Sequence, residues 1–113
     1  MHGDVEAVAR AHLDAVLAGD PAAMAADYAD HAVLIRAGER HQGRSAIEAY
    51  FATVPERLGA ARVVFDDLVI RGDTAIFAWH LEGADAQVSG TDTCVIEDGR
   101  IVSQVVALDG TDF

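Results

Sequence analysis

The chain has 113 residues, 51% of them hydrophobic, enough for one packed domain spanning residues 1–113 and too few for two. Nineteen acids stand against eight bases, all arginine, for a net charge of −11. Such a surface argues against nucleic acid or an anionic membrane as partner, and the lack of lysine excludes Schiff-base chemistry.

No apolar run approaches the ~20 residues of a membrane span. The start, Met1-His2-Gly3-Asp4, shows neither the basic region nor the apolar core of a secretion signal. The lone Cys94 excludes an intrachain disulfide and fits a reducing compartment, so the expected location is cytoplasmic.

The first half reads as helical. Asp4 is placed to cap a helix whose stripe is Val5, Val8, Ala9, Leu13, Val16 and Leu17. His12 falls inside that stripe, so it points inward or to the edge of the core. A histidine there is more often a satisfied core residue than a catalyst. Gly19 ends the helix, and Asp20-Pro21 starts a second, short one carrying Met24 and Tyr28. An extended Ala32-Val-Leu-Ile35 follows Asp30-His31, and residues 37–43 predict a hairpin or loop. A third helix runs from about Ser45 with Ile47, Tyr50, Phe51 and Val54 on one stripe. Pro55 is expected to interrupt it and Gly59 to close it.

The second half reads as strands, which together with the helices predicts an α+β fold. They run from Ala61 to Ile70, from Ala75 to Glu82, from Val88 to Ile96 and from Ile101 to Leu108, with turns at Gly72-Asp73 and near Gly83 to Asp85. In the second of these, Phe77, Trp79 and Leu81 share the face expected to form the core or a pocket wall. Ile76, Ala78, His80 and Glu82 take the other.

The third strand, Val88-Ser-Gly-Thr-Asp-Thr-Cys-Val-Ile96, carries the residue of greatest interest. Parity puts Asp92 on one face with Val88, Cys94 and Ile96, where a charge is costly unless paired, hydrogen-bonded or protonated. Acids so placed concentrate at functional sites. The plainer alternative puts Asp92 on a wet face, although Thr91, Thr93 and Glu97 suit that face better. The following hairpin has two readings. A three-residue bulged loop with Gly99 left-handed sets Gln104 opposite Asp92, with Val102, Val106 and Leu108 inward. A two-residue Asp98-Gly99 turn brings in Ser103 and Val105 instead. The bulged form is the one expected.

Other chemistry is thin. The five histidines lack the i, i+4 pairing of a zinc helix, so no metal is expected. There is no phosphate loop, dinucleotide fingerprint or serine-nucleophile elbow, and no cofactor is expected. Arg44 after Gly43 reads as a solvent-facing residue at a helix start.

Several short motifs, taken in order, resemble the nuclear-transport-factor-2-like superfamily, which includes SnoaL-like polyketide cyclases and ketosteroid isomerases. They are Ala18-Gly19-Asp20 with Met24; Tyr28-Ala29-Asp30-His31-Ala32; Gly43-Arg44-Ser45-Ala46-Ile47 with Tyr50-Phe51; and Asp92 ahead of Asp98-Gly99-Arg100-Ile101-Val102. The resemblance covers nearly the whole chain. It implies a cone-shaped, strongly curved mixed sheet wrapped around three helices and enclosing an apolar pocket. It also implies a homodimer formed through the outer sheet face, which the apolar character of that face suggests independently.

Carried over residue by residue, the late acid of the ketosteroid isomerases matches Asp92. His12 stands where those enzymes have a tyrosine, and the general-base position falls at or within a residue of Arg36. Arginine does not abstract protons at neutral pH, so steroid isomerase activity is not expected. Arg36 either clamps an anionic group or pairs with Asp92.

Two functions stay open. One is acid–base catalysis of isomerase, cyclase or hydrolase type on a small apolar organic substrate, carried by Asp92, His12 and Arg36. The pocket would be lined by Tyr28, Tyr50, Phe51, Phe77 and Trp79, with Cys94 and Gln104 beside the acid. The other is a non-catalytic module that uses the fold for ligand binding or dimerisation.

Overall fold

The amphipathic first half and the alternating second half fold onto one another, helices against one face of a single sheet. A computed structural model of the chain describes residues 2–83 and 87–109, with side chains from Val5 onward. The elements in order are α1 (His2–Ala18), α2 (Pro21–Ala26), β1 (Tyr28–Arg36), β2 (Glu39–Gln42), α3 (Arg44–Leu58), β3 (Arg62–Arg71), β4 (Thr74–Glu82), β5 (Ser89–Glu97) and β6 (Arg100–Leu108). The fold is α+β. Six strands form a curved open sheet in the order β2-β1-β6-β5-β4-β3. Only β1 and β6 run parallel, so the sheet is mixed.

Local chemistry explains most boundaries. Asp20 Oδ1 accepts from the amides of Ala22 and Ala23 at 3.1 and 3.2 Å, and Pro21 follows it, so α2 starts where a cap and a preset φ coincide. Several expectations are corrected. Helix α1 begins at His2, two residues before the cap expected at Asp4. Leu17, placed on the buried stripe, is 60% exposed. Tyr28, expected in α2, is the first residue of β1, because that helix ends at Ala26. The turn expected near Gly83 to Asp85 lies largely outside the described residues.

Pro55 does not interrupt α3, which continues to Leu58. It sits in the last turn, and its carbonyl accepts from the Gly59 amide at 3.1 Å, so the helix closes just after it rather than at it. Arg44 is not simply solvent-facing. Its guanidinium donates to the Tyr28 carbonyl at 2.8 and 3.1 Å and pairs with Asp30 at 3.0 Å, pinning the start of β1 to the start of α3.

The sheet's parity follows the sequence closely. In β4, Ala75, Phe77, Trp79 and Leu81 are buried, and in β5, Gly90, Asp92, Cys94 and Ile96 are buried. The β5–β6 hairpin is where the outcome is unexpected. Glu97 pairs with Arg100, so the turn is the two residues Asp98 and Gly99, both left-handed (φ 51° and 77°) as a primed turn requires. The expected three-residue loop is therefore wrong. Left alone, that turn would have brought Ser103 and Val105 inward. Instead, Ile96 pairs with Ile101 and Val95 with Ser103, which makes Val102 an extra residue in β6. This bulge restores the inward set: Gln104 is buried opposite Cys94, and Val106 lies opposite Asp92. Gln104 is thus Asp92's diagonal neighbour, not its direct partner as expected.

Gly90 matters for a different reason. It lies opposite Trp79, and a Cβ there would stand 2.6 Å from the indole Cζ2 and 2.9 Å from the Ala107 carbonyl. Glycine lets the indole lie flat across β5. Gly90→Ala should therefore destabilise the fold by about 1–3 kcal/mol through overpacking. Chemical denaturation followed by Trp79 emission measures this, and an unchanged midpoint would contradict the close approach.

Candidate active site

The inner face of the sheet and the three helices enclose a cavity of about 410 Å³. Its walls come from His12 and Val16 on α1, Met24 on α2, Tyr50, Phe51 and Val54 on α3, Phe65 on β3, Phe77 and Trp79 on β4, and Val106 on β6. Leu17 and Arg62 also line it, and both are largely exposed, which marks the mouth. Polar groups are few. Asp92, Arg36 and His12 contribute to the wall, each at least nine-tenths buried.

Each of these arrives by a separate route. Arg36 ends the alternating inward series Ala32, Leu34, Arg36 of β1, so its side chain enters the cavity, with its guanidinium carbon 5.9 Å from the centre of the Tyr50 ring. His12 arrives from the inner stripe of α1. Asp92 is placed by β5 parity and held at both oxygens: Trp79 Nε1 donates to Oδ1 at 2.8 Å, and Gln104 Nε2 donates to Oδ2 at 2.7 Å.

Burial pushes the Asp92 carboxyl up from 3.8 to about 6. The two donated hydrogen bonds hold it down in part, first that of Trp79 and then that of Gln104, and nearby His12 and Arg36 act in the same direction. At neutral pH it is chiefly ionised, yet it takes a proton within about one pH unit. Burial likewise raises Tyr28 and Cys94 well above their ordinary values, so both stay neutral.

The structure brings Asp92, His12, Arg36, Tyr50, Phe51, Phe77 and Trp79 together around the cavity. Tyr28, Cys94 and Gln104 do not line it. They are buried one layer behind, where Tyr28 Oη donates to Gln104 Oε1 and stands 3.3 Å from His12 Nε2. Sequence reasoning missed Asp27, whose Oδ2 is 3.5 Å from His12 Nδ1. The acid next to Tyr28 in sequence was its only signal, and the misplaced end of α2 hid it. Among the described residues no group of three or more His, Cys, Asp or Glu is placed to hold a metal ion.

The SnoaL-like domain model matches residues 9–104. The chain belongs to the SnoaL-like family. Solved structures agree with that assignment. A nuclear-transport-factor-2-like protein of unknown function from Mesorhizobium loti is 25% identical over 96% of this chain and 93% of its own, with a TM-score of 0.85. A proposed polyketide cyclase from Sinorhizobium meliloti is also 25% identical, over 88% of this chain and 92% of its own, with a TM-score of 0.78. A proposed ketosteroid isomerase from Kribbella flavida, 18% identical over 99% of this chain and 82% of its own, shares the fold with a TM-score of 0.86. No curated protein matches the sequence.

The raised Asp92 value makes a stability prediction. A group whose folded value exceeds its unfolded one stabilises fully below the unfolded value and loses that contribution as pH rises through the folded one. Of the ~3 kcal/mol that the 3.8-to-6 shift represents at ~1.4 kcal/mol per unit, roughly 2 kcal/mol is lost between about pH 4 and pH 7. Asp92→Asn cannot titrate, so the stability of wild type relative to the variant should rise by about that much on acidification. Denaturant titrations of both proteins at pH 4 and pH 7 test it. A pH-independent difference would show that Asp92 is not perturbed by burial.

Proposed function

We propose that this SnoaL-like domain is an acid–base catalyst of isomerase, cyclase or hydrolase type, acting on a small organic molecule with a mainly apolar body. The observation that supports it most is a carboxyl on the wall of an apolar cavity, displaced to about 6, where ionised and protonated forms interconvert near neutral pH. A carboxylate has about four acceptor positions, of which Trp79 and Gln104 occupy two, so a proton donor on a substrate can still reach it. In this reading Asp92 removes a proton from an activated C–H or from water and returns it elsewhere. Arg36, the buried cation in the wall, stabilises negative charge developing on a substrate oxygen. The relatives from Sinorhizobium and Kribbella bear names that suit such chemistry, but Arg36 at the expected base position points away from the steroid reaction.

The second reading, a non-catalytic binding module, is favoured by one observation: both Asp92 oxygens already accept hydrogen bonds, as a structural acid's would. Hydrogen–deuterium exchange separates the two. With a panel of cyclic and aryl ketones in D2O, wild type should speed exchange of the acidic α-hydrogens, and Asp92→Asn should lose roughly 100-fold or more of that rate. Ketones that bind without exchange, or exchange unaffected by the variant, would support the binding module.

We also propose a homodimer through the outer sheet face. Ile35, Val105, Thr93, Ile76 and Val69 pair in register across five strands, a row with no charge, and Ile35, Val69 and Val105 are 37–45% exposed. In a chain of net charge −11, an uncharged row is where two copies approach with least repulsion. Sedimentation at micromolar concentration should give twice 11.9 kDa, and Val105→Asp should give the monomer. A wild-type monomer would rule the dimer out. No helix among the described residues is long and apolar enough to cross a membrane; the cytoplasmic assignment rests on composition and the buried Cys94.

A further inference from the structure

Behind the cavity wall a line of side chains leads away from Asp92. Gln104 Nε2 donates to Asp92 Oδ2 at 2.7 Å, Tyr28 Oη donates to Gln104 Oε1, and His12 Nε2 is 3.3 Å from Tyr28 Oη. The line ends at Asp27, next to the last turn of α2, whose side chain is 22% exposed. Its Oδ2 lies 3.5 Å from His12 Nδ1, and neither of these buried atoms has a hydrogen-bond partner among the described residues. The ionisable groups around this line are His12 from α1, Asp27, Tyr28 and Arg36 from the α2–β1 segment, Tyr50 from α3, and Cys94 beside Asp92 on β5.

The hydrogen positions follow from what each group can donate. Ionised Asp92 only accepts, so Gln104 turns its amide nitrogen to it and its carbonyl to Tyr28. The tyrosine hydroxyl has one hydrogen, which goes to Gln104. Its oxygen is then left to accept from His12, so Nε2 carries a hydrogen. Nδ1 meanwhile faces the Asp27 carboxylate. Two bare acceptors buried against one another would both go unsatisfied, and a proton on Nδ1 serves both. A hydrogen on each ring nitrogen would therefore serve Tyr28 and Asp27 together.

We propose that Asp27 is a positioning residue: it keeps both His12 nitrogens protonated and, through His12, Tyr28 and Gln104, holds Asp92 ionised and ready to accept a proton. The idea takes its functional meaning from the acid–base reading of Asp92. Its test needs neither substrate nor turnover, so either can fail without the other.

Trp79 is the only tryptophan in the chain, and its indole N–H donates directly to Asp92, so its proton resonance reports the ionisation of that carboxyl. Wild type should titrate with a midpoint near 6. Asp27→Asn removes the anion that holds the imidazolium, so the midpoint should rise by about one pH unit. Acting directly through space, loss of an anion would lower the midpoint, so the sign distinguishes the two routes. His12→Gln should raise the midpoint as well, and adding Asp27→Asn to it should change nothing further. A midpoint that is unchanged or lowered in Asp27→Asn overturns the proposal, as does a full additional rise in the double variant. Should Asp27→Asn not fold, the nitrogen-15 shifts of the wild-type His12 ring decide the matter. Two protonated nitrogens at neutral pH support the proposal, and one bare nitrogen overturns it.

Discussion

The arrangement depends on a carboxylate kept inside an apolar wall by two neutral donors. A buried charge needs compensation, and here it comes from the indole N–H of Trp79 and the amide of Gln104, two groups of fixed geometry on the strands flanking β5. Each donor has its own requirement. The indole reaches Asp92 because Gly90 opposite it lacks a side chain. The amide reaches because an extra residue in β6, Val102, turns Gln104 inward. Neutral donors satisfy hydrogen-bonding capacity without cancelling charge, so burial still holds the carboxyl up at about 6.

How far the site was legible in the sequence depends on which physical rule placed each residue. Strand parity is a two-fold rule needing only local information, and it placed Asp92, Phe77 and Trp79 on the inner face. Helical periodicity did the same for His12, Tyr50 and Phe51. Where tertiary geometry intervenes the reading faltered. The β5–β6 turn took its two-residue form because Asp98 accepts a left-handed backbone beside Gly99, and the parity error this would have caused was cancelled by a bulge that no local motif announces. Tyr28 was assigned to a helix because six residues of α2 offer too little periodicity to mark their end. Arg44 looked solvent-facing because its acceptor, the Tyr28 carbonyl, is sixteen residues away in sequence. Asp27 was obscured by the misplaced end of α2, and His12, the group it faces, lies fifteen residues away on α1.

The charge distribution adds a separate constraint. The chain carries −11 overall, yet the groups reaching the cavity wall are Asp92 against Arg36, His12 and, at the mouth, Arg62. Most acids lie on the exterior, while the described cavity wall carries one carboxyl, Asp92, among cationic or cation-capable neighbours. The cavity wall thus departs from the charge of the chain as a whole.

Arg36 in the wall fits that constraint. With a second carboxylate at the end of β1, Asp92 would face a like charge across a small cavity, and one of the two would be driven to hold a proton. Arginine at that position has the opposite effect, lowering the cost of the Asp92 anion. The value of the Asp92 carboxyl is set by three influences: burial raising it, the donors Trp79 and Gln104 lowering it, and His12 and Arg36 lowering it further. Burial outweighs the other two and leaves the carboxyl at about 6. Of the side chains that set this value, Trp79, His12 and Arg36 line the cavity themselves, and Gln104 lies one layer behind.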